Sequence, residues 1–248
     1  MSEKFARTEM LLGAEAMKKL NNSRVAVFGI GGVGGYVVEA LARSGVGSID
    51  LIDNDTVNES NINRQIIALT DTVGRKKVDV AKERLLKINP NIRVITHDVF
   101  YTPETAETFD FREYDYIVDA IDTVSGKIDI VVRSNTAAVP VISSMGAGNK
   151  LDAAAFEVTD IYKTSVCPLA KVMRKELRER GIKKLKVVYS REIPIKPNID
   201  VKEGEGRRHT PGSVAFVPSV VGLIIASEVI KELCEKKNID DNKFYKKT

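Results

Sequence analysis

The chain is 248 residues long, with 38 Lys plus Arg against 34 Asp plus Glu and a formal net charge of +4. A hydrophobic fraction of 43% with so small a net charge excludes a chain that is disordered throughout. Two cysteines exclude a disulfide scaffold and a four-cysteine zinc site, and no apolar run is long enough to span a bilayer or read as an export signal, so a cytoplasmic protein without a membrane partner is expected.

In chain order, residues 9–20 read as an amphipathic helix with Met10, Leu11, Ala14, Met17 and Leu20 on one face. A buried strand over 25–28 runs into a glycine turn, a helix over 35–44 follows, and a strand over 49–52 ends on acidic residues. Residues 72–88 are expected to form one long helix closed by Asn89-Pro90, followed by strands over 92–96, 116–120 and 139–143, with a helix over 125–137 before the last of these. This alternation predicts an α/β fold, a Rossmann-like, doubly wound, mostly parallel sheet. Beyond residue 150 the pattern changes to a strand over 154–158, a charged helix over 168–180, a strand over 186–190, a polar mobile loop over 193–211 and a closing helix over 219–236. The expected organisation is a single domain over 1–248, a nucleotide-binding core over 1–150 with a C-terminal elaboration over 151–248.

The turn after the first strand is GIGGVG, with Gly29, Gly31, Gly32 and Gly34 between a strand and a helix. The glycines permit a tight turn, close approach of backbone to phosphate and close packing of helix on strand, while the helix start contributes partial positive charge. Asp53 follows Gly34 by 19 residues, at the end of the second strand, where a carboxylate bonds a ribose hydroxyl. A nucleotide site is therefore expected. An NAD-dependent dehydrogenase would be the first reading, but Asn61, Arg64 and Gln65 follow just past the ribose acid, and it leaves Arg64, Lys77 and Asp122 without work. A triphosphate carries up to about four negative charges and calls for several cations plus a metal, which Arg64, Lys77 and the metal-facing carboxylate Asp122 can supply. The plainer uses are a solvated helix face for Lys77 and a helix cap for Asp122.

The set Gly29-Ile-Gly-Gly-Val-Gly34, Asp53-Asn-Asp55, Asn61-Ile-Asn-Arg64-Gln65, Lys77 and Asp119-Ala-Ile-Asp122 resembles the adenylating superfamily of ubiquitin-activating-like enzymes that includes MoeB and ThiF. The resemblance implies that Asp53 holds the ATP ribose, that Asn61, Arg64 and Lys77 face the phosphates, and that Asp122 sits beside Mg²⁺. It also implies a homodimer in which Arg7 crosses into the neighbouring ATP site. Relatives that serve sulfur-carrier proteins hold zinc between paired C-x-x-C motifs and several use a catalytic cysteine, whereas Cys167 and Cys234 stand alone here. Cys167 reads as a small buried or helix-start residue, and Cys234 as packing.

The segments SMGAGNKLD (144–152) and DIYKTSVCPLAKVMRKELRERGI (160–182) extend the resemblance over nearly the whole chain, to the tRNA threonylcarbamoyladenosine dehydratase family, with Ala153 where that family has proline. The implied reaction is ATP-dependent ring closure on a tRNA adenosine through an acyl adenylate, releasing AMP and pyrophosphate. The alternative keeps adenylation but takes the C-terminus of a ubiquitin-like sulfur carrier as the acid; with it comes a sulfur-transfer or redox partner protein as a further candidate partner. A nucleotide-sensing scaffold is a third, non-enzymatic reading.

Charge placement favours RNA, with a solvated helix held by ion pairs as the plain alternative. Between Lys171 and Glu192 nine basic residues (Lys171, Arg174, Lys175, Arg178, Arg180, Lys183, Lys184, Lys186 and Arg191) oppose three Glu, a net of +6 that exceeds the whole-chain excess. Lys171, Arg174, Lys175, Arg178, Lys183, Lys184 and Lys186 are the candidate tRNA contacts, with Arg207, Arg208 and His209 as additions. Asn149 and Lys150 lie after the fifth strand near the expected acyl site, with a structural turn and an exposed lysine as the plain alternative.

Overall fold

The computed structural model describes residues 3–198 and 211–235. The strands are β1 (Arg24–Phe28), β2 (Ser48–Ile52), β3 (Arg93–His97), β4 (Tyr116–Asp119), β5 (Val141–Ser144), β6 (Phe156–Asp160) and β7 (Lys186–Ser190). They form one sheet in the order β3-β2-β1-β4-β5-β7-β6, parallel throughout except for the antiparallel pairing of β6 with β7. The predicted doubly wound α/β fold is therefore what forms. Strands near the middle are apolar on both faces: Val25, Ala26, Val27 and Phe28 are all fully buried, which is the pattern of a parallel sheet covered on two sides.

The helices are α1 (Ala6–Leu12), α2 (Ala14–Asn22), α3 (Gly34–Arg43), α4 (Lys77–Ile88), α5 (Val124–Thr136), α6 (Pro168–Glu179) and α7 (Phe216–Cys234). α2, α3, α4 and α7 cover one face of the sheet around Val37, Leu41, Val78, Leu85, Val221 and Ile225. α5 and α6 pack together on the other face, where Val131, Met173, Leu177 and Val187 meet, and an aromatic cluster of Phe28, Tyr101, Phe109 and Phe111 fills the space beside them. β7 pairs with β5 and α7 packs on α3, so the residues after 150 extend the same sheet and close the same core.

Three expected helices differ. The helix over 9–20 is broken at Gly13 (φ 83°, ψ 160°) into α1 and α2; Met17 and Leu20 are buried as expected, but Met10 and Leu11 are 84% and 88% exposed. A glycine in the left-handed half of φ space turns the chain, so the common stripe counted along the sequence is not one stripe in space. The helix expected from 72 begins only at Lys77. Residues 72–76 are drawn instead against the strand-end loop, with Val57 N–H donating to Arg75 O, Gly74 N–H to Val57 O, and Thr56 bridging Lys76. Tertiary hydrogen bonds outweigh local helical periodicity there. The expected closing helix starts earlier, at Phe216, with Pro218 tolerated in its first turn. Residue 236 and the tail lie outside the described residues.

A buried charge network ties β1, β2 and β3 together. Asp50, fully buried on β2, accepts from Arg24 Nε at 2.8 Å and Nη2 at 2.9 Å and from His97 Nε2 at 2.8 Å. Burial alone pushes the Asp50 carboxyl up, and the hydrogen bonds from His97 and Arg24 more than reverse this, leaving it below the ordinary carboxylate value. A depressed folded-state pKa contributes stability that is present above the unfolded carboxylate value and is lost as pH falls through the lower, folded one. Denaturant midpoints measured from neutral to acidic pH are expected to fall over that window, and Asp50→Asn is expected to lower the neutral midpoint and flatten this part of the pH dependence.

Candidate active site

The order of strands reverses at β1, which has β2 on one side and β4 on the other, and the crevice at their carboxyl ends is where ligands of open α/β sheets bind. The registers Phe28↔Ile52 and Phe28↔Asp119 bring Gly29, Asp53 and Ala120 to that edge together. Gly29 has φ 88°, and a Cβ there would lie 2.7 Å from Ala120 O; a Cβ at Gly34 would lie 1.8 Å from Gly29 O. Only glycine fits either position. α3 begins directly after this turn with no side-chain cap, and the amides of Gly32, Val33 and Gly34 have no acceptor among the described residues. The turn thus presents several unbonded N–H groups and the positive end of a helix at one place, as an anion site requires.

Asp53 has two tasks at the end of β2. Its Oδ2 accepts from Ile30 N–H at 2.7 Å and its Oδ1 from Asp55 N–H at 2.8 Å, which fastens the glycine turn to the neighbouring strand. Each oxygen keeps a further lone pair for a ribose hydroxyl. Burial pushes the Asp53 carboxyl above its ordinary value, with the Lys77 charge pulling in the opposite direction. Lys77, the first residue of α4, is itself buried, and its Nζ is 2.7 Å from Asp55 Oδ2. A solvated helix face is thereby excluded for Lys77.

Asn61 is buried, and its Oδ1 accepts from Asn58 N–H at 3.1 Å, so its amide oxygen shapes the loop, and its amide nitrogen makes no hydrogen bond among the described residues. Arg64 is half-buried; its Nη1 donates to Ser60 O at 2.8 Å and Asn63 Oδ1 at 2.9 Å, which holds the guanidinium to its own loop, while its stem lies beside the glycine turn, where a Cβ on Gly32 would be 3.6 Å from Arg64 Cγ. Gln65 is buried beside Gly31, and its Oε1 has no hydrogen-bond partner among the described residues. A buried acceptor left without a donor is costly, and a ligand N–H or O–H would satisfy it.

Asp122 is exposed, three residues past the end of β4. Thr123 occupies the cap position of α5, so Asp122 is not the helix cap, and no hydrogen bond or ion pair engages its carboxylate among the described residues. Among these residues no three carboxylates, histidines or cysteines cluster to hold a metal by themselves. One carboxylate beside a polyphosphate is, however, the donor set that Mg²⁺ takes when phosphate oxygens and water complete its shell. Arg7 is exposed on α1, on another part of the molecule from β1 and β4 in sequence and packing.

The basic segment is spread along the whole height of the sheet. Cys167, buried at the start of α6, lies near Gly146 just past the carboxyl end of β5, whereas Lys186 pairs in register with Asp160 and Ile142 at the opposite, amino end. Lys171, Lys175 and Arg178 are exposed on α6, and Lys183 and Lys184 are exposed before β7. Arg174 instead hydrogen-bonds Thr164, and Lys186 is ion-paired with Glu228 at 3.0 Å and with Glu232. A cavity of about 540 Å³ at that amino edge is lined by Tyr116, Asn135, Lys184, Lys186 and Glu232 and is remote from the glycine turn. Arg207, Arg208 and His209 lie outside the described residues. Burial pushes the Cys234 thiol up from its ordinary value, as expected of a packing residue rather than a nucleophile.

The model of the ThiF family matches residues 5–248. The chain belongs to the ThiF family. This ThiF-family chain is 46% identical over 242 residues to the tRNA threonylcarbamoyladenosine dehydratase of Bacillus subtilis, covering 94% of this chain and 95% of that one. Among solved structures it matches the Escherichia coli tRNA N6-threonylcarbamoyladenosine dehydratase TcdA in complex with AMP, with a TM-score of 0.85 at 35% identity, covering 93% and 94% of the two chains. The complex of the same protein with ATP matches with a TM-score of 0.85 at 34% identity and 93% coverage of each chain.

Two groups in the ThiF-family site carry no role in the sequence reading. Asp55 holds Lys77 where the phosphates are expected. Lys127 on α5 is fully buried, with Nζ 3.0 Å from Asp119 Oδ1 and 3.0 Å from Ile121 O, and Asp119 also accepts from Ser143 Oγ. This pair joins β4, β5 and α5 directly beneath the segment 120–123 that carries Asp122. A signal for Lys127 exists in the sequence: it falls on the same helical stripe as Ile130, Val131 and Ser134, a lysine among residues that must face inward.

Proposed function

We propose that this chain is an ATP-dependent tRNA threonylcarbamoyladenosine dehydratase. ATP activates the threonine carboxylate as an acyl adenylate with loss of pyrophosphate, and a nitrogen of the tethered carbamoyl group closes the ring and expels AMP. The observation that carries the reading is a crevice of unbonded glycine-turn amides with Asp53, Arg64 and Lys77 near it, in a chain that aligns over 94% of its length with a protein of that name. The amides of the glycine turn, Arg64 and Lys77 neutralise the phosphates, and Asp53 orients the ribose. Asn61 and Gln65 complete the nucleotide contacts. Asp122 is the residue that would hold Mg²⁺, which supplies charge neutralisation at the phosphates. Because the attacking nitrogen is already attached to the acid, positioning and charge neutralisation suffice and no covalent nucleophile is needed. Residues 151–248 are the substrate-side elaboration of one adenylating domain, and the cytoplasm, where tRNA resides, is its location.

The test is AMP and pyrophosphate release from ATP with tRNA bearing threonylcarbamoyladenosine. Release that depends on the modified tRNA supports the reading; release that depends on a carrier protein and ignores tRNA favours the sulfur-carrier alternative. The ring-closing chemistry calls for no sulfur-transfer or redox partner protein.

The tRNA surface comprises the exposed Lys171, Lys175, Arg178, Lys183 and Lys184, with Arg174 and Lys186 serving mainly to hold α6 and β7 in place. Replacing Lys171, Lys175, Lys183 and Lys184 together by Gln is expected to weaken tRNA binding and to reduce the slope of log affinity against log salt by about 3 to 4. ATP affinity without tRNA stays unchanged.

A homodimer fits the exposed Met10 and Leu11, which flank the same helix as Arg7 and leave apolar surface open to a second copy. If Arg7 reaches the neighbouring ATP site, Arg7→Ala and Asp122→Ala subunits, each inactive alone, regain about a quarter to a half of full activity when mixed, because the hybrid holds one intact site. No recovery in verified hybrids means that Arg7 does not act across the interface.

A further inference from the structure

The loop from 145 to 152 leaves β5 at the carboxyl edge of the sheet, beside the β4 end that carries Asp119 to Asp122. Asn149 holds this loop in a left-handed conformation (φ 58°), unusual for a residue with a side chain. Its main chain and side chain fasten both ends of the segment that follows β7: Ile195 N–H donates to Asn149 O at 2.8 Å, Asn149 N–H to Gly212 O at 2.8 Å, and Gly212 N–H to Asn149 Oδ1 at 2.7 Å. The next residue along, Ser213, accepts through its carbonyl from Asn63 Nδ2 at 3.0 Å, and Asn63 is itself bonded to Arg64. A continuous set of contacts thus joins the loop after β5 to the phosphate-facing side chain.

Within this fixed frame sits Lys150, only 4% exposed. Its one hydrogen bond among the described residues is to Gly148 O at 3.5 Å, at the weak limit of such contacts. The carboxylates nearest in sequence and fold are committed elsewhere. Glu192 accepts from Leu151 N–H at 3.0 Å and Asp152 N–H at 3.0 Å, and Asp152 accepts from Ala154 N–H at 2.9 Å and Ala155 N–H at 3.2 Å. No ion pair engages Lys150 among the described residues, so none of them supplies a counter-charge to this buried ammonium, a condition that folding alone does not favour. The plain alternative of an exposed lysine on a turn is excluded by its burial.

We propose that Lys150 binds the carboxylate of the acid being activated, at the acyl side of the crevice. This rests on the dehydratase reading and deepens it. The threonine carboxylate must approach the α-phosphate of an ATP carrying several negative charges, and an ammonium on its non-attacking oxygen reduces that repulsion. The same ammonium remains beside the carbonyl oxygen when the carbamoyl nitrogen attacks and negative charge develops there. Asn149 is the positioning residue, because its left-handed backbone and its three bonds to Ile195 and Gly212 set where Lys150 begins.

The experiment compares the full chain with its Lys150→Met variant, which keeps length and removes charge. For the variant, kcat/KM with threonylcarbamoyl-tRNA is expected to fall by about 100-fold or more. ATP affinity changes by less than about twofold, and the melting temperature is unchanged or higher because an uncompensated buried charge has gone. A second readout uses the free nucleoside threonylcarbamoyladenosine and its neutral carboxamide as competitors: the unsubstituted protein favours the carboxylate, and the variant does not discriminate. Full kcat/KM in the variant overturns the assignment, as does a retained preference for the carboxylate. A loss of ATP affinity equal to the loss of activity assigns Lys150 to the phosphates instead, and a lowered melting temperature with a proportionate loss of activity makes it structural. Absence of AMP release by the unsubstituted protein overturns the dehydratase reading and is distinguishable from all of these.

Discussion

Lys77→Met is expected to slow AMP formation by about 100- to 1,000-fold, the usual cost of removing one preorganised charge donor from a reacting centre. Lys77 is buried at the first turn of α4 and aimed by Asp55 at 2.7 Å, so it is already in place before nucleotide arrives. Methionine fills nearly the same volume, and Asp55 is 59% exposed, so the charge left behind is solvated and stability changes by no more than about 1 kcal/mol. Single-turnover formation of AMP from labelled ATP, with denaturant unfolding as the control, separates the two effects. A loss of activity that tracks a loss of stability would contradict a phosphate role for Lys77.

The second large effect concerns a pair that touches no substrate. Asp119 and Lys127 are each fully buried and 3.0 Å apart, in a core where either charge alone has no solvent to turn to. Asp119→Ala leaves the Lys127 ammonium with only the Ile121 carbonyl and is expected to destabilise the fold by about 3 to 5 kcal/mol. Replacing both, as Asp119→Leu with Lys127→Met, is expected to recover much of that loss, because a packed apolar pair avoids the desolvation of two charges. Urea titrations of the two single variants and the double variant read this directly. The double variant should nevertheless turn over slowly, since the segment 120–123 that carries Asp122 loses its anchor to α5.

The fold was legible wherever strand and helix periods differ sharply. The runs around Val25, Ile49 and Ile117 are short, apolar and bounded by turns, and each forms a central parallel strand. Legibility failed where distant partners decide. Gly13 splits a continuous stripe into two helices, and the loop at Thr56 and Val57 draws residues 72–76 out of α4. In the site, Gly29, Gly34 and Asp53 could be read because a glycine turn has a fixed relation to the strand ends. Lys127 shows in the sequence only as a lysine on the inward stripe of α5, whereas its pairing with Asp119, the hold of Asp55 on Lys77 and the burial of Lys150 could not be read, since each depends on what lies near in space. The same holds for the basic segment: the sequence count of charges does not separate Lys171 and Lys175, open on α6, from Lys186, taken by Glu228 and Glu232.

On the dehydratase reading, this chain removes water from threonylcarbamoyladenosine in tRNA at the expense of ATP. Mass spectrometry of nucleosides from tRNA incubated with the protein tests it most directly. With ATP and Mg²⁺ present, threonylcarbamoyladenosine should be converted to a product lighter by one water, with one AMP formed per nucleoside converted, and the Asp122→Ala protein should leave it unchanged. An unaltered nucleoside in the presence of a protein that still binds ATP would contradict the account.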